Sequence, residues 1–316
     1  MDRQRLRRHR INNVLQSILL LGGILAVFGV VAWAIGGATI MIWVLIGSAL
    51  GLVFGPKLSP ALIVRLYGAR EIVPAAAPEL HAVVAALARR ADLPAPPRLF
   101  YIPSMVLNAF TLGRRDAAVI TVTDALLRTM NRRELIAILA HEVSHIRHND
   151  MWIMGLADTV SRLTRLLAGF GWLLLILSLP AAAVGYGRIP WLAVLALVVS
   201  PTASALLQLA LARTREFDAD LGAVELIGDP EALISALAKL ESHQGGLWER
   251  MLMPGRRNPE PSVLRTHPPT EQRIARLRAL KPAARQRFPA FDLSGVLADR
   301  PRPTRPPRHG LSGLWR

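Results

Sequence analysis

The chain has 316 residues, of which 52% are hydrophobic and 19% charged, with a formal net charge of +16 and no cysteine. Soluble domains average about 25% charged residues, so this chain is poor in charge. Its apolar residues exceed the number that the core of a soluble protein of this length uses. The lack of thiols excludes a disulfide-stabilised secreted scaffold, a thiolate metal site and a cysteine nucleophile. The composition therefore points to a membrane protein.

The first apolar segments follow a basic N-terminus, residues 1–12. Two uncharged runs, 14–35 and 39–54, predict a transmembrane hairpin over residues 13–56, because a bilayer core needs about 20 apolar residues per helix. A cleaved signal peptide is the alternative for the first run, since Ala32-Trp33-Ala34 resembles a cleavage site. The run is longer than the roughly 7–15 apolar residues of a signal peptide, which favours the hairpin.

The polar segment 57–165 predicts a folded region of helices and short strands. A helix is expected to begin at Asn131, because Asn131 and Glu134 have the spacing of a capping box. The predicted elements are a helix Pro78 to Arg90, a strand Arg98 to Ile102, a strand Ala117 to Val122, a helix from about Thr123 to Met130, and the helix from Asn131 past His145.

Residues 166–211 contain two further uncharged runs and predict a second transmembrane hairpin. Pro180, within the first of these runs, leaves a buried or re-entrant hairpin open as the alternative. Residues 212–280 are polar again and predict helices over 211–227 and from Glu231 to Leu240, separated by Gly228-Asp229-Pro230. The Pro- and Arg-rich residues 281–316 predict a solvated tail.

The basic residues near the apolar runs predict their orientation. They precede the first and third runs and follow the second and fourth, whereas the hairpin turns hold only Arg188. By the positive-inside rule, both termini and all polar segments are expected on the cytoplasmic side. The basic tail is expected to meet anionic lipid headgroups. Nucleic acid is not an expected partner, because basic residues and aromatics do not alternate and no binding module is present.

His141-Glu142-Val143-Ser144-His145 matches the pattern H-E-x-x-H on a predicted helix. Residues four apart share a helix face, so both imidazoles can bind one metal ion while Glu142 acts as general base. Two imidazoles and a carboxylate suit zinc, which lowers the pKa of a bound water. The short pattern also arises by chance, so the prediction needs a third ligand.

The densest acidic group after the fourth apolar run is Glu216-Phe-Asp218-Ala-Asp220. On a helix Glu216 and Asp220 share a face and Asp218 points away. We therefore expect Glu216 to complete the ligand set and Asp220 to hold an imidazole N–H behind it. The alternative is a solvated acidic face paired with Arg213 and Arg215. The histidines outside the motif are expected to be exposed: His9, His81, His243 and His309.

Several separated motifs carry a resemblance to a known family. They are Asn108-Ala-Phe110 with Gly113, the strand 117–122, Glu134-Leu135, the segment His141 to Asp150, the segment Arg215 to Asp220, and Thr266-His-Pro-Pro269 with Arg273. Together they resemble the M48 family of membrane-integrated zinc metallopeptidases over about residues 14–280.

The resemblance implies a fold that is mainly α with a small β-sheet, a zincin-like metallopeptidase domain integrated in the membrane through two transmembrane helical hairpins. It implies one Zn²⁺ per chain, with Glu216 as the third ligand beside His141 and His145. It further implies that Asn108 binds the substrate backbone along an extended edge, and that His267 and Arg273 face the scissile carbonyl and stabilise the oxyanion.

Two positions depart from the pattern of the family. Thr111-Leu112 stands where relatives often have Ala-Thr, and His148 stands where asparagine is common. Neither change removes a catalytic group, but His148 is close enough to His145 in sequence to compete as a ligand.

These observations predict a zinc-dependent endopeptidase of the bacterial inner membrane that hydrolyses membrane or misfolded proteins at the cytoplasmic face, in protein quality control. Its expected partners are those substrates and the lipid bilayer, and the sequence does not predict an oligomeric state. Two alternatives remain. The first is an M48 protease for prenylated peptides, which would need an enclosed intramembrane chamber that four spans are too few to build easily. The second is a non-catalytic membrane scaffold, against which Glu142 argues because a scaffold does not need a general base.

Overall fold

The computed structural model describes residues 3–54, 68–185, 191–251, 270–280 and 288. As predicted, the chain is mostly helical with one small sheet. The elements in chain order are α1 (Arg3–Phe54), β1 (Arg70–Glu71), α2 (Pro78–Arg90), β2 (Arg98–Ile102), β3 (Ala109–Leu112), β4 (Val119–Thr123), α3 (Asp124–Thr129), α4 (Arg132–His148), α5 (Asp150–Ala183), α6 (Trp191–Ile227), α7 (Pro230–Met251) and α8 (Thr270–Arg278).

The described residues belong to two compact units. The first contains those of 1–10, 58–151 and 215–316, and the second those of 11–57 and 152–214. The first unit contains the sheet, and the second contains most of the long apolar helices.

The sheet of the first unit has the strand order β1-β2-β4-β3. β2 and β4 are parallel, with Arg98 opposite Val119, whereas β3 pairs antiparallel with β4. All five residues of β4 are buried, and their β-branched side chains suit a central strand. β3 therefore lies at an edge of the sheet, with one side of its backbone paired to β4.

Three strands differ from the sequence prediction. β1 and β3 were not predicted, and β4 begins two residues later than expected, at Val119. β3 has only one β-branched residue, Thr111, so its own propensity for a strand is weak. Its register is set by pairing with β4, where Ala109 lies opposite Val122.

The start of α4 is fixed by the predicted capping box and by contacts with α7. Asn131 accepts a hydrogen bond from the Glu134 N–H at 3.0 Å, and the Glu134 carboxylate accepts one from the Asn131 N–H at 2.8 Å. Ser235 and Lys239 of α7 donate to the same carboxylate at 2.6 and 2.7 Å. Burial opposes ionisation of Glu134, but these donors outweigh it and lower its pKa. The contacts tie the metal-motif helix to its neighbour.

Phe288 is an exception to the prediction that residues beyond 280 form a solvated tail. Its side chain packs against the core of the first unit, with the Arg90 guanidinium 4.4 Å from the ring centroid. Arg132 donates a hydrogen bond to the Phe288 carbonyl at 2.8 Å. Part of the C-terminal segment thus contributes to the folded unit.

In the second unit, α1 folds back on itself at Gly37, which has a φ of +66°. A Cβ placed on Gly29 would lie 3.6 Å from Leu45 Cδ2, although a straight helix would separate these residues by about 24 Å. Glycine adopts this left-handed conformation without steric cost. The chain therefore reverses between the two predicted apolar runs.

α5 and α6 approach closely within the same unit. A Cβ on Gly171 would lie 2.6 Å from Leu197 Cβ, so only glycine fits there. Small residues of this kind allow close helix packing in a membrane. Pro180 lies inside α5 and Pro201 inside α6, and both helices continue past them.

Two helical stretches among the described residues are long and apolar enough to cross a membrane, Val14–Trp33 and Trp191–Ile227. Only 28% and 22% of their most apolar windows are buried, unlike the core helix of a soluble protein. A signal sequence would pass the same test of length and composition. Large apolar side chains are exposed across this unit, among them Leu19, Trp43, Leu166, Ile176, Leu192 and Leu206.

Candidate metal centre

α4 brings both motif histidines to one point. The four-residue spacing places His141 and His145 on the same face, and their Nε2 atoms are 3.1 Å apart. Both residues are 7% exposed. The ring planes meet edge to face at 87°, so the two nitrogens converge from different directions.

Glu216 of α6 completes a group of three metal-ligating side chains. Its Oε2 lies 3.5 Å from His141 Nε2, and its Oε1 lies 3.6 Å from His145 Nε2. Ligand atoms at about 2.0–2.1 Å from a tetrahedral zinc ion are about 3.4 Å from one another. The three side chains therefore have the chemistry and the spacing to hold a zinc ion.

The charges around this group also favour a cation. Within the described part of the chain, five buried carboxylates surround the histidines and only two buried guanidinium groups accompany them: Glu142, Asp150, Glu216, Asp218 and Asp220, with Arg215 and Arg273. Buried charge of one sign is costly unless it is paired or binds a metal. A divalent cation would offset most of this negative excess.

Asp150 holds the second histidine from behind. Asn149 ends α4 in the left-handed conformation, with φ 58° and ψ 34°, which asparagine tolerates better than most residues. The chain therefore turns sharply before α5, and Asp150 Oδ2 reaches back to within 2.8 Å of His145 Nδ1. A carboxylate at Nδ1 places the ring proton there and leaves Nε2 free to bind metal.

Arg215 and Asp218 extend this contact. Arg215 Nη1 donates to Asp150 Oδ1 at 3.1 Å, and its Nη2 pairs with Asp218. All three side chains are buried. The alternative of a solvated acidic face on α6 is therefore wrong, because these carboxylates are enclosed and pair with buried cations.

Asp220 and Arg273 surround the first histidine. Asp220 Oδ1 is 3.1 Å from His141 Nδ1, the contact expected for a carboxylate that orients this ring. Arg273 donates to both oxygens of Asp220, at 2.8 and 2.6 Å, and its Nη1 lies 3.0 Å from Glu216 Oε2. Arg273 thus lies at the site, where its guanidinium contacts two carboxylates that the sequence did not assign to it, and its predicted role at the oxyanion stays a prediction.

These contacts shift the pKa of both histidines upward. Burial lowers the pKa of His145, but its hydrogen bonds to Asp150 and Glu216 outweigh that effect and raise the pKa well above its ordinary value. For His141, burial is likewise outweighed by Asp220 and Glu216. Burial also opposes ionisation of Asp220, yet Arg273 and His141 keep its pKa below the usual range. The surroundings thus favour positive charge at the histidines.

Glu142 and Asn108 lie near the edge strand. Glu142 is 7% exposed, and its carboxylate accepts a hydrogen bond from Thr111 of β3 at 2.7 Å. Asn108 directly precedes β3, is partly exposed, and has its backbone tied to Thr123. Its predicted role in binding the substrate backbone stays a prediction.

The remaining predicted site residues fall in different places. His267 lies outside the described residues, so its predicted role as an oxyanion donor has no structural account. His148 contacts Ser144 Oγ at 3.4 Å and does not belong to the group of three ligand residues. His81 was expected to be exposed but is half-buried, with its Nε2 2.7 Å from the Ile72 carbonyl oxygen.

Sequence reasoning missed four residues that support the site. The role of Asp150 could have been predicted, because an asparagine directly after a helix predicts a left-handed turn that redirects the next side chain. The other three depend on contacts between distant segments or on burial that no local pattern indicates: Thr111, Arg215 and Asp218.

In this site one helix presents two imidazoles and an adjacent glutamate, and another helix supplies a carboxylate as the third candidate ligand. This arrangement defines the class of metal-dependent peptidases. The sequence model of peptidase family M48 matches residues 74–281. This chain therefore belongs to peptidase family M48.

The most similar relatives include three bacterial proteins, each named "Protease HtpX homolog". The protein of Methylibium petroleiphilum is 31% identical over 287 residues, covering 85% of this chain and 98% of its own length. That of Desulfatibacillum aliphaticivorans is 33% identical, with coverages of 85% and 90%. That of Burkholderia mallei is 34% identical, with coverages of 84% and 96%.

Among solved structures, the crystal structure of S. mikatae Ste24p is 18% identical with a TM-score of 0.43. The match covers 85% of this chain and 66% of that chain.

Proposed function

We propose that this protein is a zinc-dependent endopeptidase of the bacterial cytoplasmic membrane that hydrolyses membrane or misfolded proteins at the cytoplasmic face. The observation that carries the proposal is the convergence of His141, His145 and Glu216 within metal-ligand distance, with Glu142 adjacent on the same helix. Membership of peptidase family M48 supports the reaction class.

The side chains of the site have separate tasks in this reaction. His141, His145 and Glu216 would hold the zinc ion, which when bound would lower the pKa of a water molecule and polarise the scissile carbonyl. Glu142 would remove a proton from the attacking water and then deliver it to the leaving amine. Asp150 and Asp220 keep the imidazole rings oriented through their Nδ1 atoms.

Arg273 and His267 are the proposed donors to the developing oxyanion, a contribution worth a few kcal/mol per donor at about 3 Å. Arg273 is well anchored for a positioning task, because Asp220 holds its Nε and Nη2. Substrate backbone would lie along β3, with Asn108 at the start of that edge. An extended peptide adds to a free strand edge through main-chain hydrogen bonds.

Removal of the metal tests the proposal directly. The purified chain is expected to contain one zinc ion and to cleave an unfolded, fluorescently labelled test protein. A chelator should abolish cleavage, and zinc added at neutral pH should restore it. Cleavage that continues after complete removal of metal would refute a metallopeptidase mechanism, and a site that binds zinc without any cleavage would favour the scaffold alternative.

The raised pKa of His141 and His145 sets the direction of the pH dependence. Protons compete with zinc for imidazole, so the apparent zinc affinity should begin to fall as the pH drops through a value above about 6.5, the ordinary pKa of histidine. The stability of the metal-free protein depends on pH in the opposite direction to its zinc affinity. The protonated histidines stabilise the fold at low pH, and this contribution is lost as pH rises through their folded pKa. Zinc should therefore increase the Tm more at pH 8 than at pH 6.

The proposed location rests on the basic residues that flank the apolar runs. Because the chain has no cysteine, single cysteines can be labelled without altering any other position. In spheroplasts, Gly187→Cys in the second hairpin turn should react with a membrane-impermeant maleimide. Ser242→Cys, at an exposed position of α7, should react only after permeabilisation. The reverse labelling pattern would refute the cytoplasmic site.

A further inference from the structure

Thr111 connects the edge strand to the proposed general base. It lies in β3, and the residue is 1% exposed. Its Oγ1 is 2.7 Å from Glu142 Oε2 and 3.4 Å from the Glu142 carbonyl oxygen. A hydroxyl has one proton to donate, and the shorter contact identifies the carboxylate oxygen as its acceptor.

We propose that Thr111 is a positioning residue that fixes the Glu142 carboxylate beside the β3 edge. The proposal rests on the proposed function of Glu142 as general base. With Oε2 held by Thr111, the other carboxylate oxygen stays available to take and return the proton. Because β3 also borders the proposed path of the substrate, the same strand would align the peptide and the base.

The surroundings of Glu142 explain why its carboxylate needs a fixed partner. Thr111 is the only described residue that donates a hydrogen bond to this carboxylate. The nearby Arg273 attracts the same carboxylate: burial lowers the pKa of its guanidinium, but Asp220, Glu216 and, more weakly, Glu142 raise it. A hydrogen bond to an ionised acceptor is about twice as strong as a neutral one, so Thr111 can keep the carboxylate in place.

Removing this hydroxyl takes away one hydrogen bond to Glu142 and no candidate metal ligand, so its effect should be moderate. Valine has the shape of threonine but places a methyl group against the carboxylate. Alanine leaves room for a water molecule that replaces the hydroxyl. Serine keeps the donor. The expected order of activity is threonine, serine, alanine and then valine.

The test compares these variants in the full-length chain loaded with zinc. Thr111→Val should lower kcat about tenfold, the effect of losing a hydrogen bond to a charged group, with KM and zinc content unchanged. Thr111→Ser should recover most of the rate. An unchanged kcat in Thr111→Val, or an equal loss in Thr111→Ser, would overturn the proposal.

A second measurement does not depend on hydrolysis. In metal-free protein, Thr111→Val should lower the Tm by about 2–4 °C when Glu142 is present and clearly less in a Glu142→Gln background, because an amide is less costly to leave without a donor. Equal shifts in both backgrounds would overturn the contact. If the wild type cleaves nothing, the proposed function fails and the catalytic role of Thr111 with it. Wild-type cleavage with unchanged kcat in Thr111→Val overturns the present proposal alone.

Discussion

A Glu142→Gln variant is expected to bind zinc like the wild type and to hydrolyse peptide bonds about 10²–10⁴-fold more slowly. The amide cannot accept a proton from the attacking water, whereas the three ligand side chains are unchanged. Glutamine can still accept the hydrogen bond from Thr111 that Glu142 receives at 2.7 Å, so the local packing should persist. The measurements are zinc content and initial rate on an unfolded test protein.

Glu225→Gln is the matched control for this variant. Glu225 is also a glutamate of the first unit and pairs with Arg147 of α4 at 3.2 Å, but it does not belong to the ligand group. This partly exposed ion pair contributes little to stability, so the control should keep its activity. A Glu142→Gln protein that holds zinc and cleaves at the wild-type rate would exclude Glu142 as the base.

Gly222→Ala is expected to disrupt the metal centre without altering any ligand. Gly222 lies in α6, six positions after Glu216, where a Cβ would stand 2.0 Å from Ser144 Oγ and 3.0 Å from Ser144 Cβ. Ser144 is fully buried in α4, between the two motif histidines. The hydroxyl can rotate, but the 3.0 Å approach to Ser144 Cβ remains, so α4 and α6 must separate by a few tenths of an ångström.

Separation of these helices would move Glu216 away from His141 and His145. Zinc sites tolerate deviations of about 0.2 Å in ligand distance. We therefore expect the zinc affinity of Gly222→Ala to fall by about 10–100-fold, the range seen when residues that orient ligands are lost. Competition with a chromophoric chelator measures this affinity. Unchanged affinity would contradict the close approach of the two helices.

Two further variants identify the cause of such a loss. Ser144→Gly removes the two atoms that lie closest to the new Cβ, so the double variant Gly222→Ala, Ser144→Gly should regain affinity. Gly155→Ala is the control for adding a methyl group to a helical glycine, because no atom lies within 4 Å of its Cβ position. It should bind zinc normally. A double variant as impaired as Gly222→Ala would exclude the clash as the cause.

Much of the candidate site could be predicted from local sequence. The capping box at Asn131 and Glu134 predicted where α4 begins, and the histidine spacing predicted a shared helix face. The same reasoning selected Glu216 and Asp220 from a dense acidic segment. The spacing of Asp218 gave no role for that residue, and only the structure shows that it pairs with Arg215 inside the protein.

Other features depend on segments that are distant in the sequence. β3 has a weak strand propensity and is defined by its pairing with β4. The contact between Asp150 and Arg215 joins residues 65 positions apart. The same holds for Arg273, whose buried partners Asp220 and Glu216 belong to another helix. The periodicity of the sequence does not predict such contacts, because they form when separate elements pack together.

By itself, the sequence determined the apolar runs and the ends at which basic residues flank them. It also determined the metal-motif helix and the residue types of the candidate ligands. These follow from hydrophobic patterning, capping and the periodicity of a helix, all of which are local. Only the tertiary structure decided how far Glu216 stands from the histidines, which carboxylate orients each ring and which hydroxyl meets Glu142. Those distances depend on the packing of α4 against α6 and β3, and packing is decided by residues such as Gly222 whose effect appears only in three dimensions.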